Sequence, residues 1–171
     1  MEQYTDTFLG VDPGFHVTGY SILRRSGSSI HLLDIGYLQM KPTKTLSERV
    51  GEFYAFFTQH IAIHGINHIA LETSFLGKNA QTFLKLGYLR GILYLLADQN
   101  QCELHEFPPS QVKMATTGFG GASKDQVARV MLKMFPKLSE VKAVARNDAT
   151  DALAIGMCGI MNSKKHAAFG L

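Results

Sequence analysis

The sequence predicts an α/β fold, a five-stranded mixed sheet with helices on both faces, and three observations carry that expectation. Three β-type runs follow one another at the start of the chain, separated by turns. Two further short apolar runs then alternate with segments of helical periodicity. The remainder is helical, and the order β-β-β-α-β-α-β-α followed by helices suits a sheet covered on both sides.

Each element has a local reason. Thr7 to Asp12 is a short apolar strand stopped by Asp12-Pro13-Gly14. Val17 to Arg24 and Ile30 to Met40 are joined by the Ser26-Gly27-Ser28-Ser29 turn, so the first three strands are antiparallel. Pro42 ends that segment. Leu46, Val50, Phe53, Phe57 and Ile61 recur at helical spacing and mark one amphipathic face. His68 to Glu72 is the fourth strand. Asn79 to Gln99 is a helix apolar almost all round, more than one sheet face can cover, so it is either central or covered by a second subunit. Cys102 to Phe107 is the fifth strand, closed by Pro108-Pro109, and Ser110 to Thr116 is a short helix. Ser123 and Gln126 form a capping box for a helix to Phe135, and Asn147 caps a last helix running to about Ser163.

The 171 residues suit one domain spanning 1–171, with a short disordered N-terminus at 1–6 and a C-terminal tail at 164–171. No apolar stretch approaches the roughly 20 residues that span a bilayer, and the first residues do not resemble a signal peptide. A cytoplasmic location without membrane contact is therefore expected. Cys102 and Cys158 show no metal or redox spacing and read as small core residues in a reducing compartment. His60, His64 and His68 show no ligand spacing either.

Four acids stand out. Asp12 and Glu72 close the first and fourth strands; if these strands are parallel neighbours, both side chains emerge at one sheet edge. Asp148 and Asp151 are three apart in the first turn of the last helix, roughly 5–6 Å between Cβ atoms. Taken singly, Asp12 suits a turn, Glu72 a solvated strand end, and the helix acids a favourable dipole. Together they border buried segments, where clustered negative charge is costly without a cation. Oxygen ligands alone favour a hard ion, Mg²⁺ or Mn²⁺, and two such ions suit in-line attack on a phosphodiester. With four acids committed to metal, the rest of the surface carries 17 basic against 10 acidic residues, which favours a large anionic partner.

These residues resemble a known family. Gly10-Val11-Asp12-Pro13-Gly14, Thr18-Gly19-Tyr20, Leu71 to Ala80, Leu84-Lys85-Leu86-Gly87, Arg90-Gly91, Gln111-Val112-Lys113, Gly121-Ala122-Ser123-Lys124 and Asn147 to Ile155 occur in the order found in RuvC-type Holliday-junction resolvases. The resemblance runs from about Phe8 to Ile160. It implies a ribonuclease H-like fold and a homodimer acting on four-way junction DNA in recombination and repair. Two strands of like polarity would be cut, leaving 5′-phosphate and 3′-hydroxyl ends, and a branch-migration helicase complex would be a partner. It further implies that Asp12, Glu72, Asp148 and Asp151 hold two Mg²⁺ ions, with Mn²⁺ substituting, and that Lys113 is an active-site cation. Phe15-His16 departs from the basic residue often found in that turn, the Asp148 position varies between Asp and His, and the Lys164-Lys165-His166 tail has no counterpart.

The same resemblance makes Phe75 a wedge or stacking residue at the branch point, although an aromatic is more often core. Lys78 and Asn79 continue that loop as candidate DNA contacts, Asn79 equally being a helix cap. Lys124 opens a helix where the dipole disfavours a cation, an arrangement better suited to a bound phosphate than to the alternative of a merely solvated lysine. Lys85 and Arg90 read as basic flanks of a dimer contact around Gly87 and Gly91, whose small-residue spacing could equally serve packing on the sheet. Two other functions compete: a related nuclease acting on structured RNA, and a non-catalytic junction-binding protein.

Overall fold

The computed structural model describes residues 5–73, 80–136, 138 and 147–169, the last six as backbone alone. Five strands, β1 (Thr5–Asp12), β2 (Val17–Ser26), β3 (Ser29–Gln39), β4 (His68–Glu72) and β5 (Glu103–Phe107), form one sheet in the order β3-β2-β1-β4-β5. β2 is antiparallel to β1 and β3, whereas β1, β4 and β5 run parallel, so the sheet is mixed as the sequence predicts. The helices are α1 (Leu46–His64), α2 (Ala80–Gln99), α3 (Pro109–Thr117), α4 (Lys124–Met134) and α5 (Asn147–Phe169).

Two apolar layers lie on opposite sides of the sheet. Leu9, Val11, Ile69 and Leu71 pack with Phe53, Phe57, Leu89 and Leu93 of α1 and α2. Phe8, Ala70 and Phe107 pack with Val112, Val127, Leu153 and Met157 of α3, α4 and α5. Strand alternation therefore fixes which side each end residue faces. Asp12 falls on the Phe8 side and Glu72 on the Ala70 side, both toward α5.

Several boundaries differ from the sequence reading. Thr5 and Asp6, expected in a disordered N-terminus, belong to β1; Asp6 is buried and ion-paired with Arg25. Arg25 also donates to the Ile160 carbonyl and to Ser163, tying β2 to the far end of α5. The backbone of α5 stays helical through Phe169, so the expected tail from 164 is helical that far. Asn147 is the first helical residue of α5, not a residue ahead of it. In α1 the Thr45 capping box sets the start, leaving Leu46 exposed while Arg49 turns inward. Arg49 donates to the carbonyls of Pro42 and Lys44, and with Lys85 it covers the Phe15 ring. The Ser123–Gln126 capping box opens α4 as expected. Cys158 is buried, and Cys102 is half-buried with its thiol donating to the Ile66 carbonyl at 3.2 Å. Among the described residues no helix is long and apolar enough to cross a membrane.

Candidate active site

The placement of α5 depends on two glycines. A Cβ at Gly10 would lie 2.3 Å from the Ala152 carbonyl oxygen, and one at Gly19 would lie 2.0 Å from that of Asp148. Backbone thus meets backbone where β1 and β2 cross the start of α5. Ser21 Oγ, buried beside them, donates to the Ala152 carbonyl at 2.9 Å and fixes the contact. Gly19 pairs with Asp12 across the β1–β2 ladder, so the first turn of α5 sits directly over the end of β1. The Thr18 hydroxyl donates to the Gly14 carbonyl at 2.8 Å and accepts from the Gly14 amide, closing the turn that follows Asp12.

Asp12, Glu72 and Asp151 line one cleft together with Lys113 of α3 and Lys124 of α4, over a floor of Val112, Val127, Ala154 and Ile155. Five chemistry-bearing residues from five elements thereby share one concavity. Asp148 does not line that cleft, although its charge acts on Asp12. The backbone contact with Gly19 holds the Asp148 turn against β2. Phe75, Lys78 and Asn79 lie outside the described residues.

The electrostatics of the cleft follow from burial and crowding. Asp12 is pushed up from 3.8 to about 7, chiefly by burial, then by the charges of Asp151 and Glu72. Lys124 opposes that rise, and Asp148 adds to it. Glu72 is also raised, by burial and then Asp151, with Lys124 and Lys113 pulling it down. Lys124 Nζ donates to Asp151 at 2.7 Å, and that hydrogen bond is the main cause holding its ammonium protonated above the ordinary range. Two lysines, of which Lys124 is largely exposed, do not fully offset three converging carboxylates, and both Asp12 and Glu72 stay raised. Hard oxygen donors on a partly desolvated, uncompensated site are what a divalent cation requires.

Arg90 was expected as a basic flank of a dimer surface, and the fold turns it inward instead. Its Nη1 donates to the Glu72 carbonyl at 2.7 Å, and its other terminal nitrogen pairs with Glu106 on β5. The guanidinium therefore clamps the backbone at the end of β4, and the clamp fixes where Glu72 points. Arg90→Ala is expected to lower turnover at this site about tenfold or more while the far-ultraviolet circular dichroism stays unchanged. Arg90→Lys should recover only part of the rate, because one ammonium cannot replace a planar fork. Wild-type turnover by Arg90→Ala would remove this role.

The histidine reading also changes. His68 on β4 pairs in register with Glu103 on β5, and His105 lies two residues further along the same face. These three side chains cluster at the opposite end of the strands from Glu72. The signal was the alternation Glu103-Leu104-His105; the strand register that completes it is invisible in one sequence.

A mixed sheet of this order, with carboxylates at the ends of its first and fourth strands and at the head of its last helix, defines a ribonuclease H-like protein. Comparison with known proteins narrows this class. The sequence profile described as Crossover junction endodeoxyribonuclease RuvC matches residues 8–159, and the chain belongs to that family. A crossover junction endodeoxyribonuclease RuvC from Chlorobium phaeobacteroides is 39% identical over 160 residues, 94% of this chain and 84% of the relative. One from Pelodictyon phaeoclathratiforme is 38% identical over 161 residues, 94% of this chain and 83% of the relative. The fold matches T. thermophilus RuvC in complex with Holliday junction substrate, with a TM-score of 0.84 and 24% identity, covering 94% of this chain and 96% of that one.

Proposed function

We propose that this chain resolves four-way DNA junctions by metal-dependent hydrolysis of paired phosphodiester bonds, leaving 5′-phosphate and 3′-hydroxyl ends. The observation that carries the reading is the meeting of Asp12, Glu72 and Asp151 with Lys113 and Lys124 in one cleft. Two divalent ions, Mg²⁺ or Mn²⁺, held by Asp12, Glu72 and Asp151 with Asp148 beside them, would supply water activation and charge neutralisation at the leaving oxygen. Asp12, pushed up chiefly by burial and then by its acidic neighbours, is a carboxylate whose ionised form a bound cation would favour. Lys124 stands at the head of α4, where free amides and the ammonium both favour a phosphate. In the free protein its partner is Asp151, and a bound phosphate or ion would compete for that contact. Lys113 lies where it lowers Glu72, and so favours the ionised form a ligand needs.

The substrate assigned here is a junction rather than linear duplex, and Phe75, Lys78 and Asn79 are proposed to contact it at the branch point. The test is cleavage of a synthetic four-way junction and of the same arms as linear duplex, in Mg²⁺. Symmetrical nicks in the junction with intact duplex are expected. Equal cutting of both would reject the junction reading.

A homodimer is part of the same proposal, and it is supported by a face of α2 that no described residue covers. Leu84, Tyr88, Tyr94 and Leu95 are exposed, and Gly87 and Gly91 border an open groove against Leu46 and Val50 of α1. A Cβ at Gly87 or Gly91 would meet nothing within 4 Å, so these glycines do not serve packing on the sheet. A two-fold dimer through this face would match a two-fold substrate. Leu84→Glu combined with Tyr88→Glu is expected to give a monomer by sedimentation equilibrium, with the fold retained and paired nicking lost. A dimer of wild-type affinity in that variant would place the interface elsewhere. Coupling to a branch-migration helicase and a cytoplasmic location belong to the same proposal.

A further inference from the structure

We propose that the starts of β4 and β5 carry a second metal site, separate from the acid cleft, which binds one Zn²⁺ or similar borderline transition ion through His68, Glu103 and His105. The site is independent of the nuclease reading. His68 and Glu72 occupy opposite ends of β4, about 13 Å apart at ~3.3 Å per residue, so the two sites do not share ligands.

Geometry makes the case. One ligand atom from each of the three side chains lies within 4.8 Å of the other two. His68 Nδ1 and His105 Nε2 face each other at 3.1 Å, close to the ~3.3 Å separating two nitrogens at ~2.05 Å from a tetrahedral ion. The Glu103 carboxylate reaches both rings, at 3.5 Å from His68 Nδ1 and 3.7 Å from His105 Nε2. Two imidazoles and a carboxylate form a donor set suited to Zn²⁺, Co²⁺ or Ni²⁺ and poorly suited to Mg²⁺. Three protein ligands leave one coordination position open.

The surroundings hold the rings in place. His68 Nε2 lies 3.5 Å from Asp6 Oδ1, and the Asp6 carboxylate is itself paired with Arg25. With a carboxylate behind the distal nitrogen, the tautomer protonated on Nε2 would leave the Nδ1 lone pair aimed at Glu103 and His105. Phe8 stacks on the His68 ring at 4.3 Å with an interplanar angle of 8°, and Phe107 lies parallel to His105 at 6.2 Å. Both imidazoles are largely buried, whereas the Glu103 side chain is 61% exposed, giving an ion a way in. The competing arrangement is one hydrogen bond between the two rings with Glu103 solvated.

An ion here would clip β5, the edge strand, to β4. The experiment uses full-length Asp12→Asn/Asp151→Asn protein, which lacks the acid cleft as a competing sink. Zn²⁺ is titrated by calorimetry and by thermal unfolding, and Co²⁺ is followed by its visible absorption. One Zn²⁺ per chain, a rise in Tm of about 5 °C or more at saturation, and intense low-coordinate Co²⁺ bands are expected. Adding His105→Gln should abolish all three. Adding Glu103→Ala, a change at an exposed edge position that leaves the fold intact, should weaken binding about tenfold or more. Absence of Zn²⁺ binding, or binding that neither substitution alters, would overturn the site and leave the ring-to-ring hydrogen bond in its place.

Discussion

Asp12→Asn is expected to reduce junction cleavage about a thousandfold, equivalent to ~4 kcal/mol of barrier, and at the same time to stabilise the metal-free protein above neutral pH. Both effects have one origin. Asp12 is forced beside Asp151 and Glu72 in a desolvated position, and its folded-state value lies near 7 against an ordinary 3.8. Between those two pH values the folded chain binds the extra proton and the unfolded chain does not. Stability of the metal-free protein therefore falls as pH rises through that window, and the loss persists above it. Asparagine keeps the shape and removes the charge, so the variant should gain on the order of 2–4 kcal/mol at pH 8. Saturating Mg²⁺ should reverse the order, because only the wild type gains binding energy from the ion. Denaturant unfolding at pH 5 and pH 8, with and without Mg²⁺, checks each part. An Asp12→Asn protein less stable than wild type at pH 8 without metal would contradict the crowding described here.

Gly19→Ala should be nearly as damaging, though Gly19 carries no chemistry. Its added methyl would sit 2.0 Å from the Asp148 carbonyl oxygen and 2.4 Å from the carbonyl carbon, and both belong to helix backbone. Neither atom can rotate away, so the head of α5 must lift from the sheet and carry Asp148 and Asp151 with it. The overpacking costs ~1–3 kcal/mol, and displacement of the acids by about 1 Å is expected to lower cleavage about a hundredfold. Gly51→Ala is the matched control. It lies on the exposed side of α1 with nothing within 4 Å of its Cβ, and it should cleave normally while gaining ~0.5–1 kcal/mol from helix propensity. Equal activity in both variants would show that α5 tolerates the shift and that its seat does not govern the site.

Much of this fold was legible because its local signals agree. The first three strands carry turn residues between them, and Ser123 with Gln126 marks the head of α4. The acids were legible as strand-end and helix-head residues bordering apolar runs. The resemblance to junction resolvases joined them into one site, and parallel pairing of β1 with β4 supplies the geometry. What escaped depends on register and on long side chains. Arg90 looked like a surface cation on an apolar helix, and only the position of α2 beside β4 and β5 shows it reaching the Glu72 carbonyl. His68, Glu103 and His105 have no common spacing until two parallel strands align. Asp6 looked like part of a polar terminus because its partner Arg25 lies across a hairpin.

The most direct test of the central claim is a crystal structure of the wild-type protein soaked in Mn²⁺, with anomalous difference density to locate the ion. Density is expected within about 2.2 Å of carboxylate oxygens from Asp12, Glu72 and Asp151 at the head of α5. A peak that none of these three residues touches, or well-ordered carboxylates turned away from one another around an empty cleft, would contradict it.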